Sequence, residues 1–317
     1  AHRLGVWRIR SLSSSRNAGK GVALVAISGI CWGFHGVMIK YAIGLGASFM
    51  QVLLVEVSFA FVFFAFFGSK FFKENQPQGF VQWFRLILIG LATIGVGYFL
   101  FLSYSLGPVA IPATLMFLYL PIVYGFSIFT KNQRLSLIKS FAILSVLMGA
   151  ILTTQIFSTF HQSSALASVI AASCASMCYA LVFILTPSVG AYTSAEFRSF
   201  TVSGIGLIGC ILIIQSAPSL WYDLGENAAE FYIFAVLLGV VGQVLPVISL
   251  MKGLPLTGSS LGGVVASIEL PIAVLSALVL LGEALTVVKI FGVLLVLLGI
   301  VIYNFAEKLR LGRQPLL

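Results

Sequence analysis

The chain has 317 residues, of which 60% are hydrophobic and only 9% are charged. Soluble domains carry about 25% charged residues, so this composition excludes a soluble globular protein and indicates an integral membrane protein. The formal net charge of +9 would suit a nucleic-acid partner, but the placement of the basic residues argues against one.

Ten apolar runs follow one another along the chain, separated by short polar gaps. Each run can cross a bilayer as a helix, because about 20 residues span a hydrocarbon core about 30 Å thick. Lipid requires paired backbone groups, and the runs are too long for barrel strands. The predicted spans are 21–44, 48–67, 84–106, 109–130, 137–157, 164–186, 195–215, 230–251, 258–281 and 286–305.

The basic residues predict the orientation of these spans. With the N-terminus placed in the cytoplasm and ten crossings counted, 16 of the 18 basic residues fall on the inner side, and only Lys40 and Lys289 fall outside. This is the positive-inside pattern, and it predicts that both termini are cytoplasmic. It also explains the positive charge without nucleic acid. The first twenty residues contain Arg and Ser but no acid, as organelle transit peptides do; a basic cytoplasmic tail is the simpler interpretation.

The chain contains an internal repeat with an offset of 150 residues. Pro121 matches Pro271 and Gly149 matches Gly299. Since each half has five spans, an odd number, the two halves insert in opposite orientations. Inverted repeats are typical of secondary transporters, whose substrate lies near mid-membrane between the halves. We therefore predict an all-α membrane protein with ten transmembrane helices, arranged as two inverted five-helix repeats around a central cavity.

Four segments follow from the repeat and the charge pattern. They are a basic cytoplasmic tail at 1–20, a first five-helix repeat at 21–157, a second repeat at 164–306 and a cytoplasmic C-terminal tail at 307–317.

Two stretches carry a resemblance to a known family. "ELPIAVLSALVLLGEALTVVKIFGVLLVLLGIVIYN", from Glu269 to Asn304, and "SYSLGPVAIPATL", from Ser103 to Leu115, resemble the EamA-type branch of the drug/metabolite transporter superfamily. The first half departs from the family pattern, with Asn132-Gln133 where Gly-Glu is expected. The resemblance covers about residues 21–306. It implies a ten-helix bundle with cytoplasmic termini, a central cavity and transport of a small organic solute.

We therefore expect a secondary active transporter that moves a small polar or zwitterionic metabolite, such as an amino acid, by alternating access. The proton gradient is a candidate driving force. The alternative is an importer or exchanger of a nucleotide-like metabolite such as S-adenosylmethionine. A membrane enzyme or a channel is disfavoured, because the chain lacks H-E-x-x-H, a nucleophile elbow, a P-loop and a repeated filter-like loop.

The remaining expectations concern the surroundings of the protein. We expect no cofactor and no metal, and as partners the lipid bilayer, a small-molecule substrate and protons. A monomer is expected, with a dimer as the alternative. The expected location is the bacterial inner membrane, and an organelle membrane is the alternative.

Two acids inside the spans are the first candidates for a substrate or proton site. Glu269 and Glu56 would each cost about 2.5–3.5 kcal/mol if they faced lipid, so they must face protein or water. Pro271 cannot donate to the carbonyl of Ser267, so we expect that carbonyl to be free beside Glu269. Such a polar notch would suit an amine or a proton. Tyr119 occupies the equivalent position in the first half, so any role of the acid differs between the halves.

Further polar and aromatic side chains are candidates to line the cavity. Trp32 and His35 lie one turn apart on the same helix face, and Lys40 lies near the outer end of that span. Gln243 lies in "GQVLP", which resembles an interrupted helix near a binding site. Arg198 is a candidate for a substrate carboxylate or phosphate, with an interfacial anchor as the alternative. Tyrosines able to stack on a substrate are Tyr98, Tyr104, Tyr119, Tyr124 and Tyr179.

Overall fold

A computed structural model describes residues 2–69, 76–106, 110–130, 135–154, 165–190, 192–281 and 286–312. All regular secondary structure in the described residues is helical. This is expected for segments that must pair their own backbone groups in lipid. The helices are α1 His2–Gly44, α2 Phe49–Gly68, α3 Phe80–Leu106, α4 Ala110–Leu115, α5 Tyr119–Thr130, α6 Leu137–Thr154, α7 Ala165–Val189, α8 Ala195–Ser216, α9 Ala228–Leu238, α10 Leu245–Thr257, α11 Ser259–Ala266, α12 Glu269–Leu281 and α13 Val287–Gly312.

Ten helical segments of the described chain are long and apolar enough to cross a membrane, which confirms the predicted number. Most boundaries agree with the prediction to within a few residues. The eighth span is longer than predicted and covers Gly225–Thr257, because a short 3-10 turn at Gly225–Asn227 leads directly into α9. The helix α1 begins at His2, so the backbone of the basic stretch at the N-terminus is continuous with the first span.

The fourth and ninth spans are interrupted at equivalent positions of the two halves. A 3-10 turn at Met116–Leu118 joins α4 to α5, and a turn at residues 267–268 separates α11 from α12. With the repeat offset of 150 residues, the two breaks fall at equivalent positions. Pro121 and Pro271 are each the third residue of the helix that follows the break. A proline is tolerated there, since the first turn of a helix has no partner for its amide.

The break in the ninth span corrects one expectation from the sequence. The Ser267 carbonyl is not free, because it accepts a hydrogen bond from the Leu270 amide at 3.1 Å. The chain tightens into a 3-10 turn at this point, so a donor three residues ahead replaces the one that Pro271 lacks. The polar character beside Glu269 therefore comes from its own carboxylate rather than from an unpaired carbonyl.

The fifth spans of the two halves, α6 and α13, pack tightly against each other through small residues. A Cβ on Gly149 would lie 2.6 Å from the carbonyl oxygen of Gly292, and a Cβ on Gly299 would lie 2.6 Å from that of Ala142. Later residues of α6 meet earlier residues of α13, so the helices are antiparallel. These are the close backbone contacts that small residues permit between membrane helices.

One contact at this interface lies on the symmetry axis of the repeat. Ser145 and Leu295 are equivalent positions, 150 residues apart, and the Ser145 hydroxyl donates to the Leu295 carbonyl at 2.7 Å. Two equivalent residues of antiparallel helices can meet only on a two-fold axis perpendicular to both helices. For spans that cross the bilayer, this axis lies in the membrane plane, and the two halves are inverted repeats.

Some features singled out from the sequence lie outside the described residues. They are Asn132-Gln133, the loop acid Glu283, and the boundary between the halves at 157–164.

Candidate solute-binding site

A cavity of about 170 Å³ lies between the two halves. Spans one to four and six to nine contribute its described lining residues, four spans from each half, while the tightly packed fifth and tenth spans contribute none of them. The cavity is therefore placed where an inverted-repeat transporter would hold its solute. Its walls are rich in aromatic side chains, namely Trp32, Phe101, Tyr104, Phe117, Tyr119 and Tyr179.

Glu269 lies on the wall of this cavity, halfway along the ninth span. It is the first residue of α12, so the break in the span is what turns its side chain towards the space between the halves. Part of its surface remains exposed to that space. Among the described residues, none donates a hydrogen bond to its carboxylate or forms an ion pair with it. A buried carboxylate without a protein partner is a ready acceptor for a ligand.

The side chains that interact electrostatically with Glu269 come from four spans. They are His35, Tyr104, Tyr119 and Tyr179.

The tyrosines around Glu269 differ in how their hydroxyls are used. Tyr119 donates to the Gly263 carbonyl at 2.5 Å. The Tyr179 hydroxyl is buried and forms no hydrogen bond with any residue that the structure describes. The ring of Tyr179 packs edge-on against Tyr119, with centroids 4.8 Å apart, and against Trp32 at 5.9 Å. A rigid aromatic wall with one unused hydroxyl thus borders the carboxylate.

Glu56 lies behind the cavity wall and is fully buried, with 0% of its surface exposed. His35 Nε2 lies 2.6 Å from one carboxylate oxygen, and Gln243 Nε2 donates to the other at 3.1 Å. The structure thus joins three residues that the sequence singled out separately into one network, with His35 and Gln243 also on the cavity wall.

A π-helical segment at Gly239–Val244 positions Gln243 and interrupts the eighth span. The sequence predicts an interruption here, and the structure shows that it takes the form of a widened turn, a feature common at functional sites. The Trp32 indole donates to the Gly242 carbonyl at 3.0 Å. A Cβ at Gly242 would lie 2.6 Å from His35 Nε2, so the close approach of these helices requires glycine.

Arg198 lies outside the cavity lining and is 3% exposed. Its guanidinium donates to the Thr193 carbonyl at 2.5 Å, to the Thr193 hydroxyl at 2.9 Å and to the Met251 carbonyl. These bonds tie the start of α8 to α10. In the structure Arg198 neither lines the cavity nor is exposed at the interface.

Three other candidates also lie away from the cavity. Tyr98 packs edge-on against Phe49, with ring centroids 6.1 Å apart. The Tyr124 hydroxyl accepts from the Ser136 amide at 3.0 Å. Lys40 is exposed near the end of the first span.

Some cavity residues are not identified by the sequence. Phe101 and Phe117 line the wall, but nothing in the sequence separates them from the other 25 of the 27 phenylalanines. Thr93 and Ser203 add hydroxyls to the lining. Ser203 precedes the small-residue stretch "GIGLIG", and this close-packing pattern is the one signal that could have pointed to it.

Four hydrogen bonds join the two halves at one end of the bundle, beyond the cavity residues Ile39 and Leu53. We call this set the end clamp. It consists of Ser48 Oγ to the Leu220 carbonyl (2.5 Å), Gln51 Nε2 to the Tyr222 carbonyl (2.7 Å), Asn227 Nδ2 to the Leu45 carbonyl (3.0 Å), and the Tyr41 hydroxyl to Glu230.

Comparisons with known proteins agree with this architecture. The model of the EamA-like transporter family matches residues 19–155 and 166–305, one match for each half. A solved crystal structure of a protein superimposes with a TM-score of 0.73 at 15% identity, covering 90% of this chain and 97% of the other. At that identity the likeness shows the fold alone. No curated protein matches this chain. The family matches cover most of the chain and coincide with its inverted halves, and the chain belongs to the EamA-like transporter family.

Proposed function

We propose that this protein is a secondary active transporter of a small metabolite that carries an amino group, the class that includes amino acids and related compounds. One observation carries the proposal: the Glu269 carboxylate, which has no hydrogen-bond or ion-pair partner in the described part of the chain, lies in a cavity between two inverted halves. A carboxylate in a low-dielectric site attracts an ammonium group more strongly than it would in water. We propose no catalytic role for the chain.

Alternating access follows from the symmetry of the halves. Two inverted repeats can exchange conformations, so that the cavity opens first to one side of the membrane and then to the other. The end clamp joins the halves at one end of the bundle. In this proposal its bonds break when the cavity opens towards that end, and equivalent contacts form at the opposite end.

We place the end clamp outside the cell and both termini in the cytoplasm, because the basic residues follow the positive-inside rule. The proposed location is a bacterial inner membrane.

A proton is the proposed coupling ion. A proton and a substrate ammonium would compete for the same Glu269 carboxylate, since the two neutralise the same charge. The titratable groups that interact with this carboxylate are His35, Tyr104, Tyr119 and Tyr179. In this scheme release of the substrate on one side is linked to uptake of a proton there.

A nucleotide-like metabolite such as S-adenosylmethionine is a second candidate. The aromatic wall favours it, because Trp32 and Tyr179 offer surfaces on which an adenine ring can stack.

A thermal-shift screen of purified protein followed by uptake into proteoliposomes tests the proposal. Amino acids, amines, nucleosides and S-adenosylmethionine are screened, since a ligand that binds the native state raises its apparent stability. Each hit is then tested as a radiolabelled solute. Saturable uptake that requires the protein, and that slows when a protonophore collapses an imposed pH gradient, is expected. Flux that never saturates would instead indicate a channel.

A further inference from the structure

We propose that the cavity selects organic cations, with an ammonium group on an aromatic or apolar body, over zwitterions and anions of the same size. This inference rests on the proposed function and narrows its substrate class. It follows from the charges of the lining residues, from the aromatic wall and from two polar groups that have no hydrogen-bond partner among the described residues.

The charge of the cavity is negative. Glu269 is the acid on its wall, and no lysine or arginine is among the described lining residues. His35 is the basic side chain of the lining, and it is bonded to Glu56 at 2.6 Å. If His35 is protonated, Glu56 balances its charge; if it is neutral, Glu56 adds a second negative charge nearby. When both carboxylates are ionised, the site therefore lacks one positive charge if His35 is protonated and two if it is neutral.

Three basic side chains elsewhere in the described part of the chain bind other partners. Arg198 donates to backbone carbonyls of Thr193 and Met251. Lys139 pairs with Glu307, and Lys252 pairs with Glu196 at 2.7 Å. None of these three cations is in the cavity lining. Among the described lining residues, a substrate carboxylate therefore meets no basic group other than His35, which is bonded to Glu56. It would also lie close to Glu269, which repels it.

The aromatic wall suits a cation in a second way. Ring faces attract an organic cation within about 6 Å of the ring centre. Trp32 and Tyr179 stand edge-on to each other at 5.9 Å, and Tyr119 and Tyr179 at 4.8 Å. These rings pack on one another and form one apolar wall of the cavity. In this proposal the apolar body lies against that wall while the ammonium group meets Glu269.

The Tyr179 hydroxyl completes the site. It is buried, and no described residue forms a hydrogen bond with it. Burying a hydroxyl without a hydrogen bond is unfavourable, and Tyr179 lines the same cavity as Glu269. In this proposal the hydroxyl serves the ligand ammonium group as a second acceptor beside the carboxylate.

A matched series of three compounds tests this selectivity. Phenethylamine, phenylalanine and 3-phenylpropionate share one aromatic body and are a cation, a zwitterion and an anion at neutral pH. Binding to the purified full-length protein in nanodiscs is measured by isothermal titration calorimetry. Phenethylamine is expected to bind at least roughly tenfold more tightly than phenylalanine, and 3-phenylpropionate is expected not to bind at millimolar concentration. Equal or tighter binding of phenylalanine, or no binding of phenethylamine, would overturn the proposal.

Two variants connect the selectivity to the site. Glu269→Gln is expected to remove the preference for phenethylamine, whereas Glu226→Gln, an exposed acid outside the cavity, is expected to keep it. If Glu269→Gln still prefers phenethylamine, the proposal is contradicted. If Glu269→Gln does not fold, the comparison of the three compounds on the wild-type protein still tests the proposal. Uptake of the same compounds separates the two claims. If the protein transports phenylalanine and shows no preference for phenethylamine, only the cation selectivity is contradicted. If it binds phenethylamine but transports none of the compounds, only the proposed transport function is contradicted.

Discussion

Glu269 holds in the second half the position that Tyr119 holds in the first, and both side chains line the same cavity. The Tyr119 hydroxyl is used in a bond to the Gly263 carbonyl, whereas the Glu269 carboxylate accepts no bond from the described residues. The inverted halves thus share a backbone plan, but at this pair of positions only the second half carries a carboxylate. This difference makes Glu269 the first residue to test.

Replacement of Glu269 by Gln is expected to impair transport and leave folding intact. The amide keeps the shape of the side chain but cannot attract a cation or release a proton. Initial uptake rates in proteoliposomes should fall by roughly tenfold or more, which corresponds to about 1.4 kcal/mol of lost interaction. Size-exclusion profiles should match the wild type, and Glu226→Gln serves as the control. A variant that loses its fold without a separate transport defect would instead mark Glu269 as structural.

Changes at Glu56 are expected to affect stability first. Glu56→Leu leaves His35 and Gln243 without their shared acceptor, and each unsatisfied buried group costs about 1–3 kcal/mol. Glu56→Gln keeps an acceptor oxygen and should be milder. Melting temperatures in detergent, compared between the two variants, check this order. Equal melting temperatures would show that the network contributes little to stability.

Two glycines allow a matched test of the contact between α6 and α13. Gly149→Ala places a methyl group 2.6 Å from the Gly292 carbonyl, so destabilisation of about 1–3 kcal/mol is expected. Gly125→Ala, also within a helix, meets nothing within 4 Å and should be neutral or slightly stabilising. Thermal unfolding of both variants measures the difference. Equal changes in melting temperature for the two variants would show that α6 and α13 are not in close contact at Gly149.

Arg198 is expected to stabilise the fold without touching the substrate. In Arg198→Met the bonds to Thr193 and Met251 are lost, so the melting temperature should drop. Folded Arg198→Met protein should keep the wild-type KM for uptake, because the guanidinium lies outside the cavity lining. A large rise in KM at an unchanged melting temperature would instead indicate that Arg198 contacts the substrate.

The end clamp provides a test of motion. Oxidised Ser48→Cys/Leu220→Cys protein should be locked and inactive, since the Ser48 hydroxyl bonds to the Leu220 carbonyl at 2.5 Å. Reduction should restore uptake, and each variant that carries only one of the two substitutions should transport under both conditions. Full activity of the cross-linked double variant would show that the halves need not separate at this end.

Most of the fold can be predicted from the sequence, because few backbone structures satisfy their hydrogen bonds within lipid. Length and apolarity fix the ten spans, and the pairing of Pro121 with Pro271 reveals the repeat. An odd number of spans in each half then requires inversion, as the Ser145 contact to Leu295 confirms. These features depend on composition and spacing along the chain.

The site is less predictable, because it depends on which side chains meet across helices. The sequence singles out Trp32, His35, Glu56 and Gln243 one by one, but it cannot show that a π-helical turn brings them together. Tyr98 and Tyr124 look like Tyr104 and Tyr179 in sequence, yet they pack away from the cavity. The free carbonyl expected at Ser267 fails because a 3-10 turn supplies a donor.

Counterflow in proteoliposomes tests the central claim of alternating access most directly. Vesicles are loaded with unlabelled solute, and the uptake of labelled solute is followed from outside without any gradient of protons. A carrier that exposes one site to each side in turn should show saturable uptake that accelerates when the lumen is loaded. Uptake that is linear in concentration and indifferent to luminal solute would contradict alternating access.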